Sequence, residues 1–448
     1  MAITNMNSDY GSFKAWCLLI VLMFAMILSL IDRMVISLLV IPIQGEMALS
    51  DTDMGWILGV AFGLFYSIMG LPLGLMADRY SRIRLIAMGI ALWSLMTMMS
   101  GLADSFWTLF LSRMGVGVGE AVLAPAAWSL LADVFPPRNQ ARALSVFQLG
   151  ALSGTGLGFL LGGWILELAT TSSILQIGLF EGMSSWRVVF VLAALPGALL
   201  VVLVLQFRDP RKNQAVQAGS LSATGREVFL FLSGQGKVLP WLFFGMGTII
   251  LAIYSVISWS PTMIARQFEL PSHIIGHQLG MVILASSLFG VLLGGWITDR
   301  AVQRENSRIY VTLLLAAAIG VIPGIAGLVL MPSYPLILVS IGFFFTMATL
   351  PNGVLVAYIQ RVTPGHIRGI VSASYVLTVN LIGYLFGPPG VALISEKLLN
   401  NDLGMAIAVI GISLALLAIW VFMRSRHSAA ELLQANPDRS ADFAPAGS

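Results

Sequence analysis

The feature that most constrains this chain is a succession of twelve apolar stretches, each at least about 20 residues and so long enough to cross a bilayer as an α-helix. They run over 15–41, 53–77, 84–103, 106–134, 140–168, 186–207, 238–265, 273–298, 309–331, 334–361, 366–395 and 403–423. In lipid every backbone N–H and C=O must be satisfied within the protein, which for separate 20-residue runs means helices. The predicted fold class is all-α: a polytopic membrane protein with twelve transmembrane helices. Charge content agrees, since only 10% of residues are charged against about 25% in soluble chains. A net charge of +3 gives no reason to expect a nucleic-acid partner. The single cysteine, Cys17, excludes an intrachain disulfide. The first apolar run is about twice the length of a signal-peptide core and shows no clear cleavage site, so it is read as the first span.

The spans divide at a polar stretch holding Arg208, Asp209, Arg211, Lys212 and Arg226. The expected organisation is an N-terminal six-helix bundle over 1–207, a cytoplasmic linker over 208–236, a C-terminal six-helix bundle over 237–424 and a disordered cytoplasmic tail over 425–448. Nineteen Lys and Arg residues fall on one side of this arrangement and three, Arg187, Arg266 and Lys397, on the other. The positive-inside rule then puts both termini in the cytoplasm, and the short loops suit a bacterial inner membrane. An internal repeat supports the division. Gly74-Leu75-Met76-Ala77-Asp78-Arg79 closes the second span, and Gly295-Trp296-Ile297-Thr298-Asp299-Arg300 closes the eighth, 221 residues later. Two such pseudo-symmetric six-helix bundles are what a duplicated transporter contains.

Ionisable residues inside the spans are few: Asp32 and Arg33 in the first, Arg113 and Glu120 in the fourth. Charges at membrane depth are costly and usually face a cavity, pair with each other or carry protons. Arg113 and Glu120 are seven residues apart and share a helix face, roughly 10 Å apart along the axis. Asp32 and Arg33 point about 100° apart, which favours Arg33 turned to Glu120 and Asp32 turned to neighbouring polar groups. A permanent pair locking helices one and four is the bland alternative, but desolvation offsets most of what such a pair gains over apolar packing. A bond that breaks and re-forms gives a better reason for the charges. Burial favours the neutral carboxyl and a nearby guanidinium favours the ionised one, so movement of Arg33 would switch Glu120, the leading proton carrier. Asp32 is a second carrier or a competitor for Arg33. Arg113 either assists proton transfer, binds a headgroup or packs the helix.

Several motifs carry a family resemblance. Gly74 to Arg84 resembles the cytoplasmic loop signature of the major facilitator superfamily, with Met76 and Ser81 replacing the usual Leu and Gly. Arg113, Gly117, Gly119 and Ala121 resemble its helix-four motif. Within it, Asp32-Arg33, Gly117-Val118-Gly119-Glu120-Ala121 and Ala132-Asp133-Val134-Phe135-Pro136 resemble the Spinster family of lysolipid and sphingolipid transporters. Sugar-acid and organic-anion symporters share the first two but tend to end helix four with Trp-Phe-Pro. The resemblance implies that Asp78, Arg79, Asp299 and Arg300 form an inside gate.

The second half has no Asp, Glu, Lys or Arg away from its span ends, and its polar content is softer: Tyr254, Ser258, Tyr358, Tyr375 and Asn380. A wall of that kind suits an amphipathic substrate better than a sugar, which needs hydrogen bonds around its perimeter. Substrate contacts are therefore expected from Arg33, Glu120, Arg113, Tyr254, Tyr358, Tyr375 and Asn380. Glycines 150, 154, 158 and 162 recur every four residues in span five and allow close helix approach. His273 and His277 have metal-ligand spacing, but no acidic or cysteine ligand lies close in sequence and no metal is expected. No nucleotide loop and no nucleophile–base arrangement is visible, so neither ATP-driven transport nor an enzyme is expected. The expected function is proton-coupled alternating-access transport of a lysolipid- or sphingolipid-like amphiphile by a monomer, with the proton gradient as its energy source and no cofactor. The alternative is a sugar-acid or organic-anion symporter; a scramblase or receptor would not need the pH gradient.

Overall fold

The computed structural model describes residues 11–171, 178, 180–211, 221–303, 308–365 and 367–434. Among these the regular elements are all helices. In the first half they are α1 (Ser12–Leu38), α2 (Val40–Met47), α3 (Asp51–Trp56), a π-helical turn (Ile57–Ala61), α4 (Phe62–Arg79), α5 (Arg82–Gly101), α6 (Phe106–Glu120), α7 (Leu123–Val134), α8 (Pro137–Thr171) and α9 (Ser185–Leu205). Then follow α10 (Leu221–Ser233), α11 (Leu239–Phe268), α12 (Ser272–Gln303), α13 (Ile309–Leu330), α14 (Tyr334–Thr349), α15 (Asn352–Val362), α16 (Arg368–Leu398) and α17 (Leu403–Gln434). Among the described residues, twelve helical stretches are long and apolar enough to span a membrane, as predicted. Three of them are interrupted.

The interruptions have local causes. Span four breaks at Ala121 and Val122, directly after Glu120. Pro125 has no N–H to give the carbonyl of Ala121, so the helical ladder lacks a bond where the break falls. Span ten breaks at Leu350 and at Pro351 itself. Span two starts from a Ser50 cap that accepts the Asp53 N–H while Asp53 accepts the Ser50 N–H, then widens into the π-helical turn. One boundary differs from expectation. α10 lies within the predicted linker, between α9 and α11, but α17 continues to Gln434, ten residues into the expected tail. Ala429 and Ala430 with Leu432 and Leu433 are strong helix formers, and Ala429 is buried. Residues 435–448 lie outside the described residues.

The chain forms two compact units: Met1–Val216 with Ile257–Leu284 and Tyr384–Leu403, and Gln217–Val256 with Ala285–Gly383 and Gly404–Ser448. The first unit therefore takes in one end each of α11, α12 and α16, beyond the division at 208–236 expected from sequence. Its longest seam joins α1 to α8 along the predicted glycine stripe. A Cβ on Gly154 would stand 2.1 Å from Leu30 Cδ1, and one on Gly158 would stand 2.8 Å from the Leu30 carbonyl oxygen. Because Leu30, Met34 and Val35 meet the stripe, the other face of α1 carries Ser29 and Arg33. Gly158→Ala is expected to destabilise the protein by about 1–3 kcal/mol, since the obstacle is main chain. A thermal melt in detergent checks this, and an unchanged midpoint would mean that α1 is not held there. In the second unit, α13 and α14 pack through Gly320, Gly324 and Gly327, against Met347, Phe344 and Ser340.

Candidate functional site

The two predicted charges of spans one and four meet. Arg33 Nε donates to Glu120 Oε2 at 2.6 Å, and Ser29 Oγ donates to the same oxygen at 2.8 Å. Ser29 and Arg33 are four apart on α1, so one helix face supplies both donors, and Arg33 Nη2 also reaches Ser29 Oγ at 3.3 Å. Glu120 is the last residue of α6, its side chain fully enclosed, while 11% of the Arg33 side chain remains accessible. Of the two partners, only Arg33 thus retains accessible surface. Its guanidinium lies over the rings of Phe62 and Tyr66, with Cζ 4.7 and 4.4 Å from their centroids. Nothing in the residue pattern singles out those two aromatics. Their role emerges only from the neighbouring helix.

Asp32 takes the other direction, as the 100° offset requires. It is 1% exposed and accepts from Thr97 Oγ1 on α5 at 3.1 Å. Arg113 is 2% exposed and donates from Nη2 to the main-chain carbonyl of Asp32 at 3.2 Å. Arg113 Nε and Nη1, Asp32 Oδ1 and Glu120 Oε1 have no hydrogen-bond partner among the described residues. Unpaired buried groups of this kind are costly to keep. Every buried charged side chain among the described residues (Asp32, Asp51, Arg82, Arg113 and Glu120) belongs to the first six spans.

The remaining expected residues are spread more widely. Tyr254 is half-buried and donates its hydroxyl to Asn380 Oδ1 at 3.1 Å, which joins α11 to α16 in the second unit. Tyr375 is 5% exposed with its ring 5.3 Å from that of Phe243. Tyr358 is 1% exposed and gives its hydroxyl to the Ala429 carbonyl at 2.9 Å, so it fastens α15 to α17. That contact could not be foreseen, because the Ala429 end of α17 was expected to be disordered. Arg79, Asp299 and Arg300 are exposed, with the Arg300 guanidinium 3.9 Å over the Trp296 ring. The side chain of Asp78 lies outside the described residues.

Two polar clusters escaped the sequence reading. At one end of the first unit, Arg266 donates to both oxygens of Asp51 at 2.8 and 2.7 Å, and Gln44 donates to Asp51. Glu396 accepts from the Thr52 N–H and hydroxyl. His277 comes within 3.7 Å of Glu167, an acid distant in sequence, yet no group of three metal-ligating side chains forms among the described residues. Nearby, burial works to raise the Glu46 carboxyl, but donors from Ser184, Trp186 and Arg187 outweigh it and hold the group below the usual range. Bonds α11 and α16 make with α2 and α3 thus close this end. At the other end, Arg82 is enclosed by Asp209, Asp133 and the Ser129 carbonyl. Charges at span ends read as topology signals in sequence, and only the fold shows which ones meet.

Comparison with known proteins agrees with this architecture. The Major Facilitator Superfamily model matches residues 22–388. An MFS-type efflux pump of Mycolicibacterium smegmatis is 27% identical over 404 residues, spanning 90% of this chain and 90% of its own. Protein spinster homolog 1 of Mus musculus is 28% identical over 406 residues, 85% of this chain and 73% of its own. The hexuronate transporter of Bacillus subtilis is 24% identical, covering 82% and 85%. Among solved structures, a bacterial homolog of the human lysosomal transporter Spinster, inward-facing and unoccupied, superposes with a TM-score of 0.76 at 23% identity, over 98% of this chain and 100% of that one. At that identity the superposition speaks for the fold alone. With twelve spans, a charged centre at membrane depth and a family match over most of its length, the chain belongs to the Major Facilitator Superfamily and is an integral membrane transporter, not an enzyme.

Proposed function

We propose that this transporter moves an amphipathic lysolipid or sphingolipid, resembling sphingosine-1-phosphate, by proton-coupled alternating access, with protonation of Glu120 and Asp32 controlling the availability of Arg33. The observation that carries the reading is the Arg33–Glu120 bond, in which the base is partly accessible and the acid is not. Protonating Glu120 removes the charge that holds Arg33, and a guanidinium freed in a low-dielectric setting seeks another anion. A phosphate or carboxylate headgroup supplies one. The confinement of buried charge to the first six spans supports a substrate with one polar end. The mouse spinster homolog among the relatives supports the same class. Both termini lie in the cytoplasm in this reading, in a bacterial inner membrane, and Asp78, Arg79, Asp299 and Arg300 act as the inside gate.

A sugar-acid symporter is the second reading, supported by the hexuronate transporter among the relatives. Binding to purified protein separates them. Lysophospholipids and sphingosine phosphate are expected to bind saturably and to lose at least about tenfold in affinity in Arg33→Ala, the order of one charge-assisted bond. Saturable, Arg33-dependent binding of hexonates alone would overturn the lipid reading.

A further inference from the structure

The closed end of the first unit and its charged centre are joined by an aromatic path. Phe62 and Tyr66, four apart on α4, stack with centroids 5.3 Å apart and planes 20° apart. Their faces support the Arg33 guanidinium, and Phe62 also meets the ring of Tyr384 on α16 edge-on at 5.4 Å. The neighbouring face of span two leaves no space against α16. A Cβ on Gly63 would lie 1.9 Å from Tyr384 Cβ, and one on Gly59 would lie 2.5 Å from the Tyr384 carbonyl oxygen and 2.8 Å from Pro389 Cδ. One turn further, a Cβ on Gly55 would lie 2.9 Å from Ala392 Cβ. The π-helical turn Ile57–Ala61 contains Gly59 and ends directly before Phe62, with Gly55 ahead of it and Gly63 just after it. Its extra residue per turn rotates everything after it by about 100°, a local register change of the kind found at functional positions. Trp259 Nε1 donates to the Pro388 carbonyl at 2.8 Å, which ties α11 to the proline pair of α16. Phe62 therefore cannot shift with Arg33 without disturbing Tyr384.

We propose that Phe62 and Tyr66 are positioning residues that hold Arg33 against Glu120 and transmit its release to α16 through Tyr384, so that the charge state of the centre decides whether this end stays closed. The proposal rests on the proton-coupled reading above. The charged and titratable groups around the pair are Asp32 on α1, Arg113 on α6, Tyr66 on α4 and Tyr384 on α16, with Thr97 the polar contribution of α5. Removing the Phe62 ring leaves Arg33 less firmly held, so it stabilises the ionised carboxylate less and release needs less acid.

The test uses the full-length protein in nanodiscs, with Cys17→Ala as background and spin labels at Ile41→Cys and Leu398→Cys, two exposed positions on α2 and α16. Distances between the labels are measured by double electron–electron resonance across pH. The parent protein is expected to show a short and a long distance whose weights titrate. In Phe62→Leu both distances persist, and the midpoint moves upward by about one pH unit, which corresponds to a tenfold change in the equilibrium. Phe62→Tyr, which keeps the ring, restores the parent midpoint. Tyr66→Leu, at a half-buried position, gives the same readout should Phe62→Leu not fold. A Phe62→Leu titration identical to the parent, or a Phe62→Tyr shift as large as that of Leu, overturns the positioning role alone. A parent protein whose distances ignore pH overturns the proton-coupled reading and this proposal together.

Discussion

Glu120→Gln is expected to abolish pH-gradient-driven flux in proteoliposomes while leaving substrate exchange across the membrane intact. Glutamine keeps a carbonyl oxygen where Glu120 Oε2 accepts from Ser29 and Arg33. It cannot ionise, so it fixes the centre in a state resembling the protonated one. Arg33 then has only a neutral acceptor, a loss of the stronger, charge-assisted form of the bond. In the proposed cycle substrate still binds, because Arg33 is more available, but the return step that releases a proton has nothing to release. Counterflow, in which labelled and unlabelled substrate exchange without net proton movement, is therefore expected to survive. Full gradient-driven flux in Glu120→Gln would remove Glu120 from the coupling. Loss of counterflow as well would place its role in binding.

Asp209→Ala carries the largest expected effect on stability, about 3 kcal/mol or more, the order of opening a buried ion pair. The Arg82 side chain is fully enclosed and that of Asp209 is 7% accessible, so solvent does little to soften the loss. Asp209 accepts from the Arg82 N–H at 2.6 Å and from Nε and Nη2, and thereby caps the first turn of α5 as well as pairing its guanidinium. Asp133, 2.5 Å from Nη1, remains as a partner and keeps the loss at the lower end of the range. Burial works to raise the Asp209 carboxyl, but the Arg82 and Arg211 donors outweigh it and hold it below the usual value. Its contribution is therefore complete above the unfolded value of about 3.9 and fades as pH falls through the lower folded one. Thermal midpoints measured from neutral to acid pH test both points: the variant melts lower at pH 7 and loses less on acidification. Equal midpoints at neutral pH would show that Asp133 alone suffices.

Much of the fold was legible because lipid enforces it. Twelve apolar runs have one solution in a bilayer, and the glycine stripe of span five declares a close helix contact wherever its partner lies. The four intramembrane charges were also legible, since nothing but function or pairing keeps them there. Their pairing followed from helical periodicity, which turned Arg33 and Asp32 apart. Periodicity runs out at the interruptions. The π-helical turn before Phe62 has no strong residue signal, and its Gly59 meets Tyr384 and Pro389 of α16, partners far away in sequence.

The sequence by itself determined the twelve spans and the superfamily motifs, and it singled out Asp32, Arg33, Arg113 and Glu120, because burying a charge in hydrocarbon is costly enough to need no further context. The tertiary structure alone decided which neighbours those charges meet. Arg113 donates to a main-chain carbonyl rather than to a carboxylate, Tyr358 fastens α17, and Asp51 finds Arg266, 215 residues away. A sequence records that such groups exist, but the cost of leaving each one unpaired is settled by partners from distant helices, and those are brought together only by packing.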